Sequence, residues 1–289
     1  MDTAITFGSD NQLVGIVSRP DLERRVDVGA PGIVFLNAGI DHRVGPRGLY
    51  VALSRWFVEA GYPTIRFDYG GLGESRSAAR TGQDDTVDAA VSECSAAATR
   101  LGQQSGCERF VVCGLCSGAH DAYRMAMKDE RVVGMILIDG YAYPTARFRR
   151  IYYLQRILSP RRWRNLFRRI AARLSRRAGS SGDAPVMDAV DDLTFSDLPS
   201  RDQLAADLRR LVARQVKLCF VYSGGARDEY NYQSQFADAF PDVDFGDCLQ
   251  EHFMPAADHT ISRVSDRREL IDKLLGWIGD AVSPKRAPR

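Results

Sequence analysis

The segment Gly114-Leu115-Cys116-Ser117-Gly118 follows the apolar run Arg109-Phe110-Val111-Val112-Cys113 and leads into a stretch with helical character. It has the form G-x-C-x-G between a strand and a helix, the pattern of a nucleophile elbow. Such a turn holds its central residue in a strained backbone. Glycines on either side remove Cβ atoms that would collide where strand and helix crowd together. The turn also places Cys116 at a helix N-terminus, where the helix dipole favours a thiolate. It aims the N–H of Ser117 at a developing oxyanion. Two other readings of the motif are weaker. Ser117 as nucleophile breaks the G-x-Nuc-x-G spacing. Cys113 and Cys116 spell a C-x-x-C redox pair, but Cys113 is expected inside a buried strand. The bland alternative is an inert core thiol at Cys116.

Around this turn, strands and helices alternate. Ile5 to Ser18 alternates about Gly8-Ser9-Asp10-Asn11 and predicts a hairpin. Gly32 to Leu36 is a continuous apolar run, expected for a strand buried on both faces. A helix carrying Leu49, Leu53, Trp56 and Phe57 on one face follows, and then a strand over Pro63 to Asp68. A helix is expected from about Asp84 to Leu101, strands at Val132–Ile138 and Val216–Tyr222, and a last helix near Asp266–Ile278. This rhythm implies βαβ units and a mostly parallel sheet flanked by helices. Residues 143–214 break it with helical periodicity and no strand signal. They are read as a helical cap inserted after the sixth strand, leaving 1–142 and 215–289 as the core. Gly179 to Gly182 is expected to be a joint within the cap, and 283–289 a frayed tail.

A thiol nucleophile needs a base, and the chain has four histidines. His259, in Ala257-Asp258-His259-Thr260, comes after the last expected strand and before the final helix. That gives the order nucleophile, acid, histidine. His252 is expected to be structural, and His120 to point away from the nucleophile. His42 follows the loop after Leu36 and is a candidate for the substrate pocket. The acid is expected at Asp228, beyond the strand that ends near Tyr222; Glu229 and Asp139 are the alternatives. Asn37-Ala38-Gly39-Ile40 offers a second oxyanion donor from the N–H of Ile40 or Gly39, beside that of Ser117. Gly71-Leu72-Gly73-Glu74-Ser75 lacks the G-K-[ST] ending of a phosphate loop and is read as structural.

Charge and cysteine usage limit the setting. The net charge is +2, so total charge implies no partner. The N-terminus lacks a basic, then apolar, leader, and no segment approaches the ~20 apolar residues of a membrane span. Six cysteines without an export signal are read as reduced thiols in the cytoplasm. The distribution of charge is more telling. From Arg147 to Arg177 there are twelve arginines and no acid or lysine. Trp163, Leu166, Phe167, Ile170 and Leu174 at helical spacing make the second part a basic amphipathic helix. It suits a solvated face, peripheral contact with an anionic membrane at its inner surface, or attraction of an acidic substrate. No nucleic-acid motif accompanies it.

The sequence resembles α/β-hydrolases of the serine aminopeptidase-like group, and among them bacterial hydrolases associated with exosortase and exopolysaccharide systems. The likeness runs through Asn37-Ala38-Gly39, His42-Arg43-Val44-Gly45-Pro46, Arg66-Phe67-Asp68, Gly71 to Ser75, Gly114 to Ala119 and Ala257 to Thr260. A cysteine nucleophile is also similar to that of dienelactone hydrolase, with its Cys-His-Asp triad. The resemblance implies an α/β-hydrolase fold, no cofactor and no metal. It says little about substrate; the cysteine nucleophile itself points to an acyl hydrolase acting on an ester, lactone or thioester through a thioester on Cys116. Transfer of the acyl group to an alcohol or amine is the alternative. A non-catalytic binding protein on the same frame is the reading from another class. The expected partner is a small-molecule or carrier-bound acyl substrate.

Overall fold

The computed structural model describes residues 1–21, 23, 29–76, 83–157 and 199–282. Eight strands form one sheet: β1 (Asp2–Phe7), β2 (Leu13–Ser18), β3 (Gly32–Leu36), β4 (Thr64–Phe67), β5 (Phe110–Leu115), β6 (Val132–Ile138), β7 (Lys217–Ser223) and β8 (Leu249–Met254). Their spatial order is β1-β2-β4-β3-β5-β6-β7-β8. The N-terminal hairpin pairs antiparallel, with Asp2 opposite Ser18 and Phe7 opposite Leu13. β2 also pairs antiparallel with β4, and all other pairs are parallel. This is the mostly parallel α/β sheet expected from the sequence.

The helices are α1 (Leu49–Glu59), α2 (Gln83–Ser105), α3 (Ser117–Lys128), α4 (Ala146–Ile157), α5 (Arg201–Ala213), α6 (Gln235–Ala239) and α7 (Val264–Trp277). The two-residue period of the central strands divides the core in two. Ile33, Phe35, Val111, Ile136 and Val221 face Leu49, Leu53 and Phe57 of α1 and Leu270, Leu274 and Trp277 of α7. Val34, Leu36, Val112, Leu137 and Phe220 share the other core with Ala97 and Leu101 of α2, Ala119 and Ala122 of α3, and Leu204, Leu208 and Leu211 of α5. Each strand is therefore apolar on both faces, which is why these segments read as unbroken apolar runs.

Of the region between β6 and β7, the structure describes α4 and α5. The latter packs into the same core as the sheet, and its Asp207 accepts a hydrogen bond from the Tyr123 hydroxyl. The amphipathic stretch from Trp163 to Leu174, the arginines from Arg161 to Arg177, the Gly179–Gly182 joint and the 283–289 tail lie outside the described residues. On α4, Arg147 sits 4.3 Å over the Tyr232 ring and Arg149 and Arg150 are exposed. Among the described residues, no helix is long and apolar enough to cross a membrane. All six cysteines are unpaired.

The chain goes from β3 out to β4 on one side and then returns to β5 on the other. Where the winding reverses, loops at the carboxyl ends of neighbouring strands diverge and leave a crevice. The residues described next lie at or just beyond those carboxyl ends.

Candidate active site

Cys116 directly follows β5 and carries φ 55 and ψ −118, a backbone conformation disfavoured for a residue with a side chain. It is fixed from both sides. Its N–H donates to the Ile138 carbonyl at 2.9 Å, and its own carbonyl accepts from the Ala119 N–H at 3.0 Å. The flanking glycines are required by contact. A Cβ on Gly114 would lie 2.0 Å from the Gly118 carbonyl oxygen. A Cβ on Gly118 would lie 2.6 Å from the carbonyl oxygen of Asn37. The elbow is thus pressed against its own helix and against the end of β3.

His259 arrives from the turn after β8. The Asp258 carboxylate accepts from the Thr260 N–H at 2.9 Å and the Thr260 hydroxyl at 2.8 Å, and it also bonds Ser262. These bonds stiffen the turn that carries the imidazole. Nδ1 of His259 stands 2.8 Å from Oδ2 of Asp139. The imidazole is also near enough to Cys116 that the two shift each other's acidity. With Nδ1 on the carboxylate, Nε2 is the nitrogen left to meet sulfur.

The acid in contact is therefore Asp139, and this corrects the expectation of Asp228. Asp139 directly follows β6, the strand beside β5, at φ 45. Its side chain is 1% exposed. Its carboxylate accepts from the Ser223 N–H and the Ser223 hydroxyl, each at 2.6 Å. The chain beyond β7 turns tightly at once through Gly224–Ala226. A Cβ on Gly225 would lie 2.5 Å from the His259 nitrogen, so backbone fills the space beside that residue. Asp228 lies past this turn, exposed. Glu229 stays near enough that Asp139 and burial both raise its pKa while His259 lowers it.

The electrostatics separate Cys116 from its sister thiols. Burial pushes Cys94, Cys113, Cys219 and Cys248 up. Cys116 goes down, chiefly through the neighbouring His259 imidazole, with the Ser117 N–H adding to the effect against an opposing cost of burial. His259 is raised from 6.5 to about 10 by the Asp139 carboxylate and by Cys116. The two shifts run in opposite directions, as they do when a thiol and an imidazole each favour the other's charged form. Cys113 is fully buried within the core, so the C-x-x-C spacing brings no accessible dithiol.

The turn after β3 supplies the other wall. Ile40, expected as a donor, is 90% exposed, and the N–H that meets the elbow is that of Gly39, donating to Oγ of Ser117 at 2.6 Å. Asn37 ties the turn together, its Nδ2 donating to the Asp41 carbonyl at 2.8 Å. The turn is anchored further along by Arg43. Its N–H donates to Asp68 at 2.5 Å, and its guanidinium bonds both Asp68 and Glu74. Gly73 packs so closely on Asp68 that a Cβ would lie 2.3 Å from Oδ2. The Gly71–Ser75 loop is thus a structural seat, as its sequence suggested. His42 is exposed beside it. His120 stacks on Tyr141 with ring centroids 4.3 Å apart, and His252 lies on β8 with its pKa lowered by burial. Among the described residues, no group of acidic, histidine and cysteine side chains could hold a metal ion.

Sequence reasoning missed Ser223 and the bracing role of Asn37. Nothing in either residue type marks it, although both sit at the carboxyl end of a predicted strand, where this sheet collects its polar groups.

Comparison with known proteins agrees with this architecture. Residues 33–273 match the model of the alpha/beta hydrolase family. No curated protein matches the sequence. Among solved structures, an esterase from Pyrococcus furiosus superposes with a TM-score of 0.58 at 13% identity, covering 98% of this chain and 91% of its own. An alpha-beta serine hydrolase homologue from Coxiella burnetii gives 0.54 at 14% identity, covering 96% of each chain. A proline iminopeptidase from Mycobacterium smegmatis gives 0.53 at 18% identity, covering 97% of this chain and 98% of its own. With its sheet order, its elbow and a family match over most of its length, this chain belongs to the alpha/beta hydrolase family and is an enzyme of hydrolase type.

Proposed function

We propose that the protein is an acyl hydrolase that works through a thioester on Cys116, with His259 as proton carrier and Asp139 as the group that orients it. The observation that carries this reading is the His259–Asp139 bond beside the strained turn that holds Cys116, and it is supported by the acidity of Cys116, which shifts opposite to that of the buried thiols. The thiolate attacks the acyl carbonyl carbon, and the carbonyl π pair moves onto oxygen. The N–H of Ser117, next in the chain to the sulfur, is the backbone donor proposed for that oxyanion. Collapse breaks the bond to the leaving group, which takes the proton from His259 Nε2. Water then gives a proton to Nε2 and attacks the thioester. The acid leaves, and the proton and thiolate are restored. The buried Asp139, held by two donors on Ser223, keeps Nδ1 protonated and the ring in place.

A thiolate nucleophile suits esters, lactones and thioesters better than amides. Cys116 lies between a helix N-terminus and the imidazole, so the acyl group is received in the crevice at the strand ends. Residues 143–214 are proposed to shape access to that crevice, with α5 at their end packed into the sheet's core.

The test is intact-mass analysis after brief exposure to a panel of activated esters and thioesters. We expect a transient acyl adduct on Cys116, released by neutral hydroxylamine, and loss of at least about 10⁴-fold in turnover in Cys116→Ala. Ester turnover retained in Cys116→Ala would overturn the reading. Added alcohols or amines show in the same assay whether the acyl group passes to water alone.

A further inference from the structure

Ser117 brings two hydrogen-bond donors to the elbow, its N–H and its hydroxyl, and the hydroxyl has an unusual position. Gly39 abuts the elbow from the loop after β3 at φ +57, where a Cβ would meet nothing within 4 Å. Glycine is needed there for the backbone conformation alone, which turns the N–H towards the elbow. That N–H does not stand open. It donates to Ser117 Oγ at 2.6 Å, so the serine hydroxyl occupies the place where a substrate oxygen would otherwise bond Gly39. A hydroxyl that accepts a hydrogen bond is polarised, and its own O–H becomes a stronger donor. Among the described contacts, that O–H has no protein acceptor. Ser117 is half-buried, and its Oγ lies on the residue next to the reacting sulfur.

We propose that the Ser117 hydroxyl is a catalytic donor of the oxyanion site, carrying the polarity of the Gly39 N–H to the acyl oxygen. This rests on the reading of Cys116 as nucleophile. In the tetrahedral intermediate the C–S bond forms, and the carbonyl pair becomes an oxyanion. That oxygen accepts from the Ser117 N–H and from the Ser117 O–H, while Gly39 N–H stays on Oγ. No proton leaves the hydroxyl, so the serine ends each half-reaction unchanged. The hydroxyl does not compete as a nucleophile, because the imidazole is engaged by Asp139 and Cys116.

The experiment compares the native protein with Ser117→Ala and Ser117→Thr, following acylation of Cys116 by an activated ester through rapid quench and intact mass. Each protein is also alkylated with iodoacetamide, a displacement at carbon that forms no oxyanion. For Ser117→Ala we expect acylation to slow about 10²-fold. KM should stay within about threefold, with alkylation as fast as in the native protein. That unchanged alkylation shows an intact elbow and a normal thiolate. Ser117→Thr, which restores a hydroxyl, should recover acylation to within about tenfold of native. Native-like acylation in Ser117→Ala would make the hydroxyl a bystander and overturn the proposal while leaving Cys116 as nucleophile. Slow alkylation in step with slow acylation would also overturn it, by assigning the loss to the thiolate. An adduct on Ser117 that resists neutral hydroxylamine, or none on Cys116 in the native protein, would overturn both readings together.

Discussion

His259 and Asp139 lie 120 positions apart in sequence, and their Nδ1 and Oδ2 atoms stand 2.8 Å apart. Among the described residues, the other bonds to that carboxylate come from Ser223. Replacing Asp139 with Asn keeps the shape but leaves an amide where the imidazolium needs an anion. Ester turnover should fall by about 10³- to 10⁴-fold, the scale seen when a triad carboxylate is neutralised. Asp228→Asn should stay within about twofold, because an exposed side chain with no bond to the imidazole has nothing to withdraw. Steady-state turnover of the two variants side by side distinguishes these acids.

The pH dependence of Cys116 alkylation follows from the paired shifts. The folded thiol titrates below its ordinary 9.0, and His259 titrates at about 10 rather than 6.5. Labelling by iodoacetamide should therefore hold its rate to lower pH than an ordinary thiol does. In His259→Ala the profile should move to the alkaline side, because the largest cause of the depression is gone. The stability signs also follow. The raised His259 contributes fully below pH 6.5, and the contribution is lost as pH rises through about 10. The depressed Cys116 contributes above its ordinary 9.0, and that contribution is lost as pH falls through its folded pKa. Denaturant midpoints across pH 5 to 11 for the native protein and Cys116→Ala give the comparison.

Gly225→Ala tests the contact between the β7 turn and the base. The added methyl would lie 2.5 Å from the His259 nitrogen and 2.7 Å from its Cβ. The histidine must move, and turnover should fall by more than about tenfold, since about 1 Å of displacement at a reacting group costs up to 10²-fold. The stability cost of overpacking is about 1–3 kcal/mol. A pH-rate profile and a urea melt of the same variant report the two effects separately.

The Arg43 cluster gives a contrast within one network. Asp68 is fully buried and Glu74 is 66% exposed, yet Arg43 bonds both. Asp68→Ala strands the guanidinium beside the loop after β3 and should cost about 3–5 kcal/mol in denaturant unfolding. Glu74→Ala should cost no more than about 1 kcal/mol. Equal losses would show that the two carboxylates share the work.

The elbow turn, the placing of His259 after the last strand and the sheet were legible because each depends on local pattern. Gly114 and Gly118 declare a turn that only glycine permits, and the runs at Gly32–Leu36 and Val132–Ile138 declare strands buried on both faces. The choice of acid was not legible. Asp139 and Asp228 each follow a predicted strand, and sequence order favours neither. Asp139 meets His259 because β6 lies next to β5, and because the turn at Gly224–Ala226 carries the chain past the imidazole before Asp228 is reached. Which N–H of the loop after β3 meets the elbow was left between Ile40 and Gly39 by the sequence. Gly39 and Ile40 are neighbours in sequence, but the positive φ of Gly39 decides which N–H meets Ser117.

Ser223 accepts from the Gly225 N–H at 3.0 Å, donates to Asp139, and so links the carboxylate to the same turn whose backbone abuts His259. Acid, base and turn therefore form a closed loop of contacts, and none of the three can drift without dragging the others. On warming, such a site does not wear down by degrees. Activity should persist at full strength until the turn lets go, and then vanish in one step, ahead of or together with the sheet that carries it.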